Sequence, residues 1–180
     1  MSWRMPLNGK YAYGPKFGVK DNWHPNGHRG TDYNGFKGGT PYFAVNDGVI
    51  VENKFSAVLG NVVVLQTGKQ FFGYCHMDKP SPLKIGTKVV SGQQIGTAGT
   101  TGSASSGVHL HLTLSLTKEG VFGGTVYDAD LFLKKSIAAQ AAKAKAAATA
   151  PVAAPAAAAP AAPVAAPTTH VCPTCKQEIK

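Results

Sequence analysis

Strict alternation of polar and apolar residues marks the segment His109-Leu110-His111-Leu112-Thr113-Leu114-Ser115-Leu116. A period of two predicts a half-buried β-strand, with the leucines facing a core and both histidines on the opposite face. Gly48-Val49-Ile50-Val51 and Val62-Val63-Val64-Leu65 are short runs rich in β-formers. Phe71-Phe72-Gly73-Tyr74-Cys75-His76 reads as a further strand, carrying His76 near its end. Gly, Pro and Asn punctuate the intervals between these runs, so the apolar part of the chain predicts a mainly β fold.

After Leu133 the pattern changes abruptly. Lys134 to Ala150 is rich in Ala and Lys and predicts a helix. From Pro151 to Pro167 Ala-Ala-Pro-like units recur, and proline at that density predicts a disordered, extended spacer with no packed fold. The chain then ends in a short tail containing His170, Cys172 and Cys175. A length of 180 residues accommodates one sizeable core with an appendage. The expected division is therefore 1–135 for the core, 136–169 for the Ala-rich helix and linker, and 170–180 for the Cys-x-x-Cys tail.

The candidate chemistry lies in the core. His28 and Asp32 fall in Gly27-His28-Arg29-Gly30-Thr31-Asp32, and His111 closes His109-Leu110-His111. Two imidazoles and one carboxylate can hold a zinc ion and leave a fourth coordination position open, the pattern of catalytic rather than structural sites. Two histidines on one face of one strand lie about 6.6 Å apart at their Cα atoms, so both can reach one metal, or one can bind it while the other meets a substrate. His28 and Asp32 would stand about 13 Å apart on a straight strand. Gly27 and Gly30 let the chain bend, placing His28 in a loop and Asp32 at the start of a strand. His76 beside aromatics, taken alone, is more often a packed or surface residue than a catalyst. His24, before Pro25, more often supports a turn.

The series Phe17-Gly18, His24-Pro25, Gly27-His28-Arg29-Gly30-Thr31-Asp32, Gly39-Thr40-Pro41, Asp47-Gly48, Gly60-Asn61, Tyr74-Cys75-His76-Met77, Gly92-Gln93, Ile95-Gly96, Thr101-Gly102, Gly107 and His109-Leu110-His111 resembles the lysostaphin-type (LytM-like) zinc metallopeptidases, which are peptidoglycan endopeptidases. The resemblance runs from about Phe17 to about Leu133. It implies an antiparallel β-sheet, sandwich-like peptidase core of the duplicated hybrid motif type. By position it implies that His28, Asp32 and His111 bind zinc, and that His76 and His109 are the two catalytic histidines flanking it. Zinc would bring the pKa of water towards about 7 and polarise the scissile carbonyl. His76 or His109 would take the proton or hydrogen-bond the oxyanion. The family commonly carries an aromatic residue and then Glu where Leu112 and Thr113 stand, so altered orientation around the ligands is expected here. Lys88 to Gly96 also resembles the hammerhead turn of biotinyl and lipoyl carriers, but no lysine sits suitably at a hairpin tip for modification.

The remaining expectations concern partners and place. The net charge is +9 with dispersed lysines. A nucleic-acid binder would gather them into a stripe with stacking aromatics, so no nucleic-acid partner is expected. A diffuse positive field suits an anionic wall polymer beside the peptidoglycan substrate. Cys172 and Cys175 are half of a zinc knuckle, and a second zinc there would need ligands from another chain. Cys75 reads as a small buried apolar residue, and no disulfide framework is expected. Met1 to Leu7 lacks the apolar region of a secretory signal, and no stretch is long enough to insert in a membrane. These features suggest a bacteriophage endolysin held in the host cytoplasm until a holin releases it to the wall, with a virion-associated peptidase or a non-catalytic wall-binding module as alternatives.

Overall fold

The computed structural model describes residues 2–149. The proline-rich spacer and the His170, Cys172 and Cys175 tail lie outside the described residues. The elements in chain order are β1 (Ala12–Tyr13), β2 (Thr31–Asn34), β3 (Pro41–Phe43), β4 (Gly48–Ser56), β5 (Gly60–Thr67), β6 (Gln70–Met77), β7 (Lys88–Val89), β8 (Gln94–Thr97) and β9 (Leu110–Ser115), then a 3-10 turn (Glu119–Val121) and helix α1 (Ala129–Thr149). Seven strands form one sheet in the order β1-β2-β9-β6-β5-β4-β7, and β3 pairs with β8 in a small second sheet. Each pairing is antiparallel. The mainly β, antiparallel architecture with a C-terminal helix matches the expectation from sequence.

Alternation along the central strands sorts side chains onto two faces. One face carries Val63, Leu65, Phe72, Tyr74, Leu110 and Leu112, which pack with Tyr42 of β3 and Ile95 of β8 in the main core. The other carries Val62, Val64 and Cys75 under Val121. Gly73 makes this second cluster compact, because a Cβ there would lie 2.4 Å from Val121 Cγ1. Cys75 is fully buried and is the only cysteine among the described residues, as the sequence led us to expect.

β9 departs from expectation. Alternation predicts a strand with one wet face, yet every residue from Leu110 to Ser115 is buried. The segment after the strand folds back over the polar face, where Ser115 Oγ donates to the Thr125 carbonyl at 2.7 Å and Val121 is 2% exposed. α1 likewise begins at Ala129 rather than Lys134. Asp128 supplies the reason: its Oδ1 accepts the Leu131 N–H at 2.9 Å, a side-chain cap for the first turn. Asp130 then fastens the helix to the sheet by accepting Tyr13 Oη–H at 3.0 Å and Tyr33 Oη–H at 2.9 Å, while Lys134 Nζ pairs with its other oxygen at 2.8 Å.

Candidate metal centre and groove

The site grows from the pairing of β2 with β9. Asp32 and His111 are direct cross-strand partners, so their side chains emerge side by side on the face that also carries Val62 and Cys75. His28 reaches them from the loop before β2, as the glycine-flanked sequence predicts. The loop is bound to its neighbour by mutual backbone bonds, Gly18 N–H to the His28 carbonyl and His28 N–H to the Val19 carbonyl, both at 2.8 Å. Gly30 then lets the chain pass the imidazole of His111, since a Cβ there would lie 2.8 Å from the ring and 2.6 Å from the Leu112 carbonyl oxygen.

His28 Nε2, Asp32 Oδ1 and His111 Nδ1 converge. The edges of their triangle measure 3.0 Å (His28 to His111), 3.3 Å (His28 to Asp32) and 2.8 Å (His111 to Asp32). Ligands held about 2.0–2.1 Å from a tetrahedral zinc stand roughly 3.3–3.4 Å apart, so the triangle fits the ion with a small outward relaxation. The donor chemistry fits as well. His28 Nδ1 lies 3.3 Å from the Lys16 carbonyl, a contact that orients the ring with Nε2 toward the cluster. All three residues are buried, at 3% exposure for His28, 8% for Asp32 and 7% for His111. Burial alone would raise the Asp32 carboxyl, but the hydrogen bonds from His111 and His28 prevail and hold it well below the usual range. Burial pushes His111 down, against the opposing pull of Asp32, so the imidazole is kept neutral and able to ligate. The Cys75 thiol is pushed well up by burial and stays protonated, which makes it a poor ligand despite its position under the site.

Two further histidines flank the cluster. His109 immediately precedes β9, with Nε2 3.9 Å from Asp32 Oδ1, and its Nδ1 is held by the Gly107 carbonyl at 2.8 Å. His76 has its Nδ1 on the Thr101 carbonyl at 2.8 Å, and its ring centroid lies 4.7 Å from that of His109 and 5.8 Å from that of His111. In both residues a carbonyl accepts the Nδ1 hydrogen, which leaves Nε2 as the nitrogen available for proton exchange. Burial lowers His76 to about 4, partly opposed by its bond to Thr101, so it is neutral at physiological pH.

His76 reaches the site only through an irregularity. Regular alternation would send it to the main core with Phe72 and Tyr74. Instead the register shifts between Asn61 and Val63 of β5, where Asn61 pairs with Met77 and Val63 with Tyr74, leaving Cys75 and His76 together opposite Val62. This bulge, with His76 at φ 57°, redirects the imidazole to the site face. Gly60 and Gly102, both at positive φ, hold the neighbouring loop close enough to present the Thr101 carbonyl: a Cβ on Gly102 would lie 2.2 Å from Gly60 N.

All five residues singled out in the sequence thus come together. Sequence reasoning missed the carbonyls of Lys16, Thr101 and Gly107 that orient three of the rings. His24, taken as a turn residue, does accept the Gly27 N–H at 2.9 Å, but its ring also lies 4.3 Å from that of His28, and it lines the groove. Thr113, standing where the family commonly has Glu, has a buried hydroxyl without a hydrogen-bond partner among the described residues. The groove passes the cluster on two sides, as clefts of about 380 and 430 Å³ that share Trp23, His24, Asp32, Ala104 and His109.

Residues 26–122, more than half of the chain, match the model of peptidase family M23. The chain belongs to peptidase family M23. Peptidoglycan DD-endopeptidase ShyC of Vibrio cholerae is 39% identical over 85 residues, covering 47% of this chain and 19% of ShyC. The catalytic domain of the antimicrobial peptidase lysostaphin from Staphylococcus simulans is 31% identical with a TM-score of 0.61, covering 69% of this chain and 92% of that domain. The catalytic domain of the prophage-encoded M23 protein EnpA from Enterococcus faecalis is 26% identical with a TM-score of 0.59, covering 69% of this chain and 93% of that one. The chain spans only 37% and 19% of the length of the first two curated relatives it matches. Among the described residues of this M23 chain, no helix is long and apolar enough to cross a membrane.

Proposed function

We propose that this M23 chain is a zinc-dependent endopeptidase that hydrolyses peptide bonds in bacterial peptidoglycan. The observation that carries the proposal is the convergence of His28 Nε2, Asp32 Oδ1 and His111 Nδ1, with His109 Nε2 3.9 Å from the carboxylate and His76 beside it. His28, Asp32 and His111 would hold the ion. When bound, zinc supplies the Lewis acidity that activates water at neutral pH and polarises the scissile carbonyl. His76 and His109 present Nε2 as the nitrogen available to exchange a proton, because carbonyls engage their Nδ1 atoms. Between them they accept the proton from the attacking water, hydrogen-bond the developing oxyanion once protonated, and return the proton to the leaving amine. The buried position of His76 keeps it neutral before the reaction.

A zymogram of zinc-loaded protein on purified cell walls, with and without chelator, tests this, followed by mass spectrometry of the released peptides. The expected result is clearing that a chelator abolishes and zinc restores, with one new amino terminus per cut. No clearing on several wall types would overturn the proposal in favour of a wall-binding module. We further propose a phage endolysin role, supported by the similarity to a prophage-encoded protein and by the spacer-like composition after the catalytic region. Induced expression in a host should cause lysis only when a holin is co-expressed.

A further inference from the structure

Arg29 lies between the ligand His28 and the tight Gly30 turn, and its side chain borders the first cleft. Its Nη2 donates to the Gly120 carbonyl at 3.2 Å and to the Gly124 carbonyl at 2.7 Å. These two bonds pin the guanidinium against the loop after β9 and occupy one nitrogen. Nε and Nη1 make no hydrogen bond, and the guanidinium makes no ion pair, among the described residues. An exposed, immobilised cation with free donors is poised for an anion, since little side-chain freedom remains to be lost on binding.

The rest of the groove gives this charge a direction. Among the described residues, Arg29 is the only Lys or Arg along the first cleft, and Asp32, committed to the histidine cluster, is its only acid; Val58, Leu59, Val121 and Phe122 supply apolar wall. The second cleft has no Lys or Arg among the described residues, and it holds Asp21 with Ser103, Ser105 and Ser106. The first arm therefore carries a cation that the second lacks. We propose that Arg29 is a specificity determinant that binds a free carboxylate of the substrate peptide in the first cleft, fixing the direction in which the peptide lies and selecting acid-bearing stem peptides over neutral, glycine-like strands. This rests on the peptidoglycan peptidase reading given above.

The test compares peptidoglycan fragments whose stem-peptide carboxyls are free with the same fragments carboxamidated, each digested by zinc-loaded parent, Arg29→Gln and Arg29→Lys. A charge-assisted hydrogen bond predicts that amidation lowers the parent kcat/KM by about tenfold. Arg29→Gln should bring the two substrates within about twofold by slowing only the free acid, and Arg29→Lys should keep part of the preference. If the parent cuts both equally, or if Arg29→Gln slows both and leaves their ratio unchanged, Arg29 is merely a fastener of the loop and the proposal fails while the peptidase reading stands. If the parent cuts neither, both readings fall. Equal cutting by the parent overturns the proposal even if Arg29→Gln misfolds, and Arg29→Lys, which keeps the charge, then serves as the second variant.

Discussion

The two halves of the proposed catalytic cluster are built by contrasting means. The proposed metal-binding half rests mainly on regular backbone: Asp32 and His111 are register partners on β2 and β9, so the lattice of the sheet sets their spacing, and His28 joins them from the loop before β2. The flanking half comes from irregular backbone, with His76 on a bulge at φ 57° and His109 just outside β9. Regular pairing gives rigidity and a fixed donor set. Irregular pairing lets two imidazoles approach from other directions, but leaves them dependent on the loop that supplies the Thr101 and Gly107 carbonyls. Binding metal and using it should therefore be separable by mutation.

The largest effect is expected on the regular half. His111→Ala should lose both zinc, measured by elemental analysis, and wall hydrolysis, which falls to background. His109→Ala and His76→Asn should retain zinc while kcat drops about 10²–10⁴-fold, the usual worth of a positioned acid or base. Asn suits position 76 because it tolerates positive φ. Equal loss of zinc in all three variants would erase the distinction between the halves. Next, Gly102→Ala would force a Cβ within 2.2 Å of Gly60 N at a φ of +86°, costing on the order of 1–3 kcal/mol in chemical denaturation and lowering kcat while zinc binding persists.

A smaller effect follows from His76 itself. Its folded value of about 4 lies below the 6.5 of an unperturbed imidazole, so as pH falls the unfolded chain takes up the proton first. The stability it contributes is complete above about 6.5 and drains away between 6.5 and about 4. Denaturant titrations should show the parent losing on the order of 2 kcal/mol more than His76→Asn across that window. The smallest change is expected at Thr113, whose buried hydroxyl is unpartnered among the described residues. Thr113→Val should leave kcat within about twofold and stability unchanged or raised by up to about 1 kcal/mol, because no protein hydrogen bond is sacrificed.

The same contrast explains what the sequence could convey. Asp32 and His111 were legible because alternation and a glycine-flanked turn are written in residue types. The bulge at His76 was not, since periodicity places that residue with Tyr74 in the core and an extra residue in one strand leaves no mark on hydropathy. Only the family resemblance flagged it. The ring-orienting carbonyls of Lys16, Thr101 and Gly107 were invisible because every residue has a carbonyl. The burial of Thr113 and Ser115 was missed for a related reason: alternation describes a strand, not the loop that later folds across it. Arg29 reaches glycines more than ninety positions away, a contact that no local pattern encodes.

β9 lies between β2 and β6 in the interior of the seven-stranded sheet. The Asp32 and His111 pair therefore melts with the architecture: it cannot come apart gently at an edge while the remainder persists. Surviving activity after a heat challenge would count intact molecules, and reinforcing any strand of that sheet would lengthen the working life of the enzyme.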